Sequence, residues 1–245
     1  MTALRRVGHK GADLIAPGNT AASFDAALAA GVDMIEFDVL PRDGGDVGSP
    51  LVLAHDYGAV VKREPLTLEE GLEHLCVEEF TGVELDVDLK GPGYEARVLA
   101  ALRRADTLSR ERGANGLLPR VLIPTQYVES LRVIRRLEPE VKLGWSVPRL
   151  DNDPFRSPLT WPLAYAGLHA YRIVLPGRAA RAVRSGLCDA LMAQYRLITP
   201  RLARALRAAG GELYAWTVDD PVRIRALETM GVTGVITNDP RLFAP

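Results

Sequence analysis

Short β-branched and aliphatic runs alternate with longer segments of helical period along the whole chain, and this alternation restricts the fold more than any other feature of the sequence. Such alternation builds repeated βα units around a parallel sheet. The strand-like runs cover 6–8, 34–39, 83–89, 121–124, 142–146, 189–193, 213–218 and 234–237, eight in all. Helical patterns fill 20–30, 67–75, 94–111, 128–137, 162–185, 199–209 and 221–230. Several end at a glycine, among them Gly31, Gly113, Gly186, Gly210 and Gly231, as helices commonly do.

Eight parallel strands in 245 residues fit a closed (β/α)8 barrel, which takes about 250 residues. A doubly wound sheet more often carries about five or six strands. The expected fold is therefore α/β, a (β/α)8 TIM barrel forming one domain over 1–245. Tyr171 to Leu175 could pass for a ninth strand. Leu175-Pro176-Gly177 followed by Arg178, Arg181 and Arg184 at helical spacing assigns it to helix instead. Pro41 to Pro50 reads as a glycine-rich turn leading to Leu51-Val52-Leu53-Ala54-His55-Asp56, an excursion after the second strand.

Composition removes several classes of function. With 47 % hydrophobic and 25 % charged residues the chain can bury a full core, which excludes disorder and fibres. Thirty basic against 31 acidic residues give a net charge of −1, and no basic tract suggests a nucleic-acid partner. Cys76 and Cys188 lie in apolar stretches without metal-ligand spacing, and read as core thiols. The N-terminus lacks the apolar run of about seven to fifteen residues that a secretory signal needs. No apolar stretch reaches the roughly twenty residues needed to span a bilayer. The expectation is a soluble, cytoplasmic protein without stable membrane insertion; its oligomeric state is left open.

In a barrel of this kind functional groups sit at the C-terminal ends of the strands. The second strand ends Ile35-Glu36-Phe37-Asp38-Val39, and side chains two apart share a face, so Glu36 and Asp38 point the same way. Two inward carboxylates repel and lose hydration, a cost that a divalent cation offsets. The third strand alternates Glu84, Asp86, Asp88 and Lys90 with Val83, Leu85, Val87 and Leu89. A solvated face would give the same pattern, but parallel sheets are covered on both faces, so acids in a middle strand indicate a site. Asp88 lies nearest the C-terminal end and is the expected ligand, with Asp86 and Glu84 deeper. An all-oxygen set suits a hard cation, Mg²⁺ or Ca²⁺.

His9 and His55 each follow a strand-like run, while His74 and His169 fall in helical stretches and read as structural. Beside the carboxylates, the first two form a candidate acid/base pair working near neutral pH. The only lysines are Lys10, Lys62, Lys90 and Lys142, and two of them fall at the candidate site. A compact ammonium there suits a phosphate oxygen or a crowded carboxylate group. Histidines, lysines and a carboxylate-held cation together suit a small-molecule phosphodiester, whose reaction needs charge neutralisation, a proton acceptor and a proton donor. Trp145, Phe155 and Trp161 either line the substrate mouth or pack.

Several motifs, in order, resemble the glycerophosphodiester phosphodiesterase family over nearly the whole chain. Gly8-His9-Lys10-Gly11 is similar to its opening His-Arg-Gly, and Ala16-Pro17-Gly18-Asn19-Thr20 to its Pro-Glu-Asn-Thr helix start. Ile35-Glu36-Phe37-Asp38-Val39, Asp43-Gly44 and Ala54-His55-Asp56 resemble its metal and second-histidine segments. Asp88-Leu89-Lys90 resembles its Glu-x-Lys strand, and Ala215 to Val218 and Gly234 to Pro240 its last two strands. The resemblance implies a phosphoric diester hydrolase that converts glycerophosphodiesters to sn-glycerol 3-phosphate and an alcohol with a divalent cation. It implies His9 and His55 as acid/base pair and Glu36, Asp38 and Asp88 as metal ligands. Lys10 and Lys90 then bind substrate, with Trp216 an apolar wall for the glycerol or leaving group.

Three residues depart from the family pattern. Lys10 replaces a bidentate arginine fork with one ammonium, Gly18 removes an acid, and Asp88 is shorter than Glu. Open at this stage are which histidine is acid and which base, and whether water or the substrate's own hydroxyl attacks, the latter through a cyclic phosphate. A related barrel phosphodiesterase for a lysophospholipid or another diester is the nearest alternative. A non-catalytic phosphate-binding homologue is the other.

Overall fold

The strand–helix alternation closes on itself in a computed structural model that describes residues 3–44, 46–148 and 161–243. The strands are β1 (Arg5–Gly8), β2 (Met34–Pro41), β3 (Leu51–Leu53), β4 (Glu84–Leu89), β5 (Val121–Thr125), β6 (Lys142–Val147), β7 (Ala190–Gln194), β8 (Glu212–Trp216) and β9 (Gly234–Thr237). All except β3 are parallel, and pairing of β1 with both β2 and β9 closes an eight-stranded barrel. The helices are α1 (Ala21–Ala29), α2 (Tyr57–Lys62), α3 (Leu68–His74), α4 (Glu95–Glu111), α5 (Val128–Leu137), α6 (Trp161–Arg184), α7 (Pro200–Ala209) and α8 (Pro221–Met230).

The (β/α)8 reading holds, and Tyr171 to Leu175 is helical, inside α6. Two small elements fall in the excursion after β2. There β3 pairs antiparallel with β2, Leu53 opposite Val39, and α2 follows with Asp56 as its N-cap. Three residues of strand and six of helix are too short to show a period. The strand expected to reach Val218 ends at Trp216.

Alternation along each strand gives the barrel two unlike faces. Ile35, Phe37 and Val39 of β2 and Leu85, Val87 and Leu89 of β4 point outward into the large core beneath the helices. Inside, Val7, Met34, Leu122, Ala190, Met192, Tyr214 and Ile236 form a separate apolar plug. Burying each large member of that plug contributes roughly 1.5–3 kcal/mol. Below the plug, at the N-terminal end, Arg5 pairs with Glu84 at 3.0 Å and with Glu212 at 3.3 Å. Lys142 reaches Glu212 at 3.4 Å, and the Tyr214 hydroxyl donates to Glu212 at 2.8 Å and also meets Arg5. Glu84, expected as the deepest acid of the candidate site, thus belongs to the opposite end of the barrel. Above the plug the inward positions are polar again.

Cys76 and Cys188 are free and buried, as expected of core thiols. Trp145 is buried in the outer core with Arg178 over its ring, so its role is packing. Phe155 lies outside the described residues, and Trp161 opens α6. No helix among the described residues is long and apolar enough to cross a membrane.

Candidate active site

The residues singled out in the sequence gather at the C-terminal mouth, above the apolar plug. β2 and β4 run in register with Glu36 opposite Asp86 and Asp38 opposite Asp88. This pairing aligns the acids of the two strands. Ligand-capable oxygens of Glu36, Asp38 and Asp88 lie within 4.8 Å of one another. Lys90 enters from the end of β4, its Nζ 2.5 Å from Asp38 Oδ1 and 2.5 Å from Asp88 Oδ2. The loop carrying Lys90 is fixed by buried Tyr94, whose hydroxyl donates to the Val39 carbonyl at 2.8 Å and accepts from the Gly91 amide at 2.8 Å.

One ammonium does not balance this group. Asp86 is fully buried, and neither of its carboxylate oxygens has a hydrogen-bond partner among the described residues. Burial raises its pKa well above the usual carboxylate range, and the charges of Asp88 and Asp38 push it further up. Glu36 is raised for the same reasons, burial first and then Asp38. Asp38 goes the other way. Burial opposes its charge, but Lys90, His55 and His9 outweigh burial and hold the carboxyl well below its usual range. Lys90 answers with a raised pKa, since Asp38, Asp88 and Glu36 overcome the burial that would lower it. A cluster of oxygen donors with uncompensated negative charge fits a hard divalent cation. Glu36, Asp38 and Asp88 are the residues placed to hold it.

His9 sits beside the cluster, its Nε2 3.8 Å from Glu36 Oε2. Its Nδ1 is 2.6 Å from Asn238 Oδ1. Asn238 is itself oriented, donating from Nδ2 to Asp219 Oδ2 at 2.6 Å and from its backbone N–H to Asp219 Oδ1 at 2.8 Å. With its amide N–H₂ committed to a carboxylate, Asn238 presents oxygen to the imidazole. The Nδ1 of His9 is therefore the protonated nitrogen and Nε2 the free acceptor. Burial lowers the His9 pKa, only partly offset by Asp38 and Asn238.

The turn after β1 is tightly held. Lys10 adopts a left-handed backbone, φ +51°, with its N–H donating to Glu36 Oε2 at 2.7 Å and its carbonyl accepting from the Asn19 N–H at 2.9 Å. Asn19, also left-handed, grips Asp38 twice: Nδ2 donates to Oδ2 at 2.8 Å, and Oδ1 accepts from the Asp38 N–H at 3.1 Å. The side chain of Lys10 turns to the rim, where Nζ meets Asp13 Oδ2 at 3.2 Å. The other oxygen of Asp13 accepts from the Gly18 N–H at 2.8 Å. A Cβ on residue 18 would stand 2.5 Å from Asp13 Oδ1 and 2.8 Å from Cβ of Lys10. Glycine at 18 therefore leaves the space that the Asp13 carboxylate fills, so the rim keeps an acid where the motif has lost one.

His55 follows β3 and is half exposed, with Nδ1 3.1 Å from Asp56 Oδ2. It stands on the rim, close enough to contribute to the lowered pKa of Asp38. Trp216 ends β8 and packs on the apolar plug, at the floor of the mouth. The structure thus brings His9, Glu36, Asp38, Asp88 and Lys90 into one cluster, and sets Lys10 and His55 at its edge. Asp13, Asn19, Asp219 and Asn238 were not singled out as site residues. Asp219, just beyond the C-terminal end of β8, carried a positional signal.

This mouth gives the barrel groups able to hold a cation and to move a proton beside it. Residues 9–57 and 66–242 match the glycerophosphoryl diester phosphodiesterase family, to which the chain belongs. It is 25 % identical over 270 residues to the glycerophosphodiester phosphodiesterase of Caldanaerobacter subterraneus subsp. tengcongensis, covering 96 % of this chain and 93 % of that protein. Among solved structures, it superposes with TM-score 0.66 and 20 % identity on an Oleispira antarctica phosphodiesterase in complex with the product sn-glycerol-3-phosphate, covering 97 % of this chain and 94 % of that one. A glycerophosphodiester phosphodiesterase from Agrobacterium tumefaciens str. C58 gives TM-score 0.66 at 19 % identity over 99 % of both chains. The family read from the motifs is the family found.

Proposed function

We propose that this chain, acting over 1–245 as one barrel unit, hydrolyses glycerophosphodiesters to sn-glycerol 3-phosphate and an alcohol. Glu36, Asp38 and Asp88 would hold Mg²⁺ or Ca²⁺, and His9 and His55 would move the protons. The observation that carries the reading is the convergence of Glu36, Asp38 and Asp88 within 4.8 Å beside a histidine whose Nε2 is left as acceptor.

A cation held by Glu36, Asp38 and Asp88 would supply positive charge to the phosphate and acidify the attacking nucleophile. His9 Nε2 accepts the proton of the attacking water, or first of the substrate's own hydroxyl, in which case water then opens the cyclic phosphate, while Asn238 and Asp219 keep its Nδ1 protonated and the ring in place. His55, reachable from solvent, donates to the departing alkoxide. Lys90 helps hold Asp38 ionised and orients both Asp38 and Asp88. Lys10 offers one ammonium from the rim toward phosphate, and Trp216 gives the glycerol or leaving group an apolar wall.

Phosphorus NMR of the protein with glycerophosphocholine, with Mg²⁺ or Ca²⁺ and then with chelator, tests this directly. Cation-dependent appearance of glycerol 3-phosphate is expected. Unchanged substrate with every cation would refute the reading.

A further inference from the structure

A cavity of about 750 Å³ lies outside the mouth, between α6, the turn that follows β7, and α8. Buried Ile198 and Leu227 give it an apolar wall. Its Arg and His lining comprises Arg172 and His169 from α6, Arg196 from the turn, and Arg223 from α8, with no Asp or Glu among the described lining residues.

The arginines are arranged by the fold. Arg172 donates from Nε to the Arg196 carbonyl at 2.7 Å, which fixes the plane of its guanidinium. The guanidinium carbons of Arg196 and Arg223 stand 5.1 and 5.8 Å from the centroid of the Tyr195 ring. Neither Arg172 nor Arg223 meets a carboxylate among the described residues. Some arginines elsewhere on the outer helices do: Arg103 pairs with Glu138, Arg104 with Glu69 and Arg135 with Asp189. Like charges that line one cavity repel, and an anion bound among them is attracted to each. The planar fork of arginine matches phosphate oxygens two at a time. The volume lies within the roughly 300–1,000 Å³ of small-molecule sites.

We propose that this cavity is a second ligand site, which takes an organic phosphate: the phosphate on Arg172 and Arg223, the apolar body against Ile198 and Leu227. It is separate from the cation cluster and does not depend on turnover there.

Calorimetric titration of the cation-loaded chain with octyl phosphate, inorganic phosphate and octanol tests it. Octyl phosphate is expected to bind more tightly than inorganic phosphate, with no heat from octanol. The double variant Arg172→Gln/Arg223→Gln is expected to weaken octyl phosphate by about tenfold or more, with glycerophosphodiester turnover unchanged. Co-sedimentation with vesicles containing phosphatidic acid, lost in the same variant, would assign the phosphate to a lipid head group. Binding of octyl phosphate without vesicle binding would assign it to a free metabolite. Absence of octyl phosphate binding to the unmodified chain, or an isotherm that the double variant reproduces, would overturn the proposal.

Discussion

At the N-terminal end of the barrel Arg5 and Lys142 meet Glu84 and Glu212, with Tyr214 donating into the same network. At the C-terminal mouth Glu36, Asp38, Asp86 and Asp88 meet Lys90 as the one lysine among them, with both oxygens of Asp86 left without a hydrogen-bond partner. β4 contributes acids to both ends from one alternating run, Glu84 to the first and Asp86 and Asp88 to the second. The same residue pattern is therefore structural where opposite charges arrive in equal number and chemical where they do not. What decides is the partner that other strands bring, Arg5 from β1 and Glu212 from β8 at one end, Glu36 and Asp38 from β2 at the other.

The contrast can be broken most strongly at the mouth. His9→Ala is expected to lower turnover by about 10²–10⁴-fold, measured by product release at saturating cation, with the folded chain intact by circular dichroism. Asn238→Ala leaves the imidazole in place but frees its tautomer, and a loss of about 10–100-fold is expected, in kcat more than in KM. At the other end Glu212→Gln is expected to cost about 1–2 kcal/mol of stability in denaturant unfolding, with turnover unchanged, because it leaves Arg5 and Lys142 short of a partner. A large loss of turnover there would erase the distinction between the two ends.

The smallest effect is a matter of pH. Glu36 and Asp86 have pKa values raised on folding, so the folded chain binds their protons more tightly than the unfolded chain. The cation-free protein should therefore lose stability as pH climbs from about 4, where these groups ionise in the unfolded chain. Asp38, held low, works oppositely: its contribution is present above that pH and is lost as pH falls below it. Asp86→Asn should flatten the decline at rising pH, measured as Tm against pH in chelator. A curve identical to that of the unmodified chain would show that Asp86 does not carry this pH dependence.

The alternation of eight strand-like runs with helical segments made the barrel legible, and the period-two alternation of β2 and β4 the facing acids, because strand geometry alone fixes which side chains share a face. His9 and His55 were legible from their places after strands. The orientation of His9 was not, because it depends on Asn238 and Asp219, joined to it only by closure of the barrel between β9 and β1. Glu84 and Asp88 look alike in sequence, and only the arrival of Arg5 separates them. Gly18 read as a lost acid, since nothing in the sequence shows the chain turning back to put Asp13 in the space beside it. β3 and α2 were too short to carry a periodic signal.

The unbalanced carboxylates of the mouth are proposed to hold a divalent cation. Isothermal calorimetry of the chelator-stripped chain with Mg²⁺ and with Ca²⁺, repeated on Asp38→Asn, tests it most directly. One cation per chain is expected for at least one of the two metals, accompanied by a rise in Tm, with affinity reduced about tenfold or more in the variant. Titrations without heat, or equal affinity in Asp38→Asn, would contradict it.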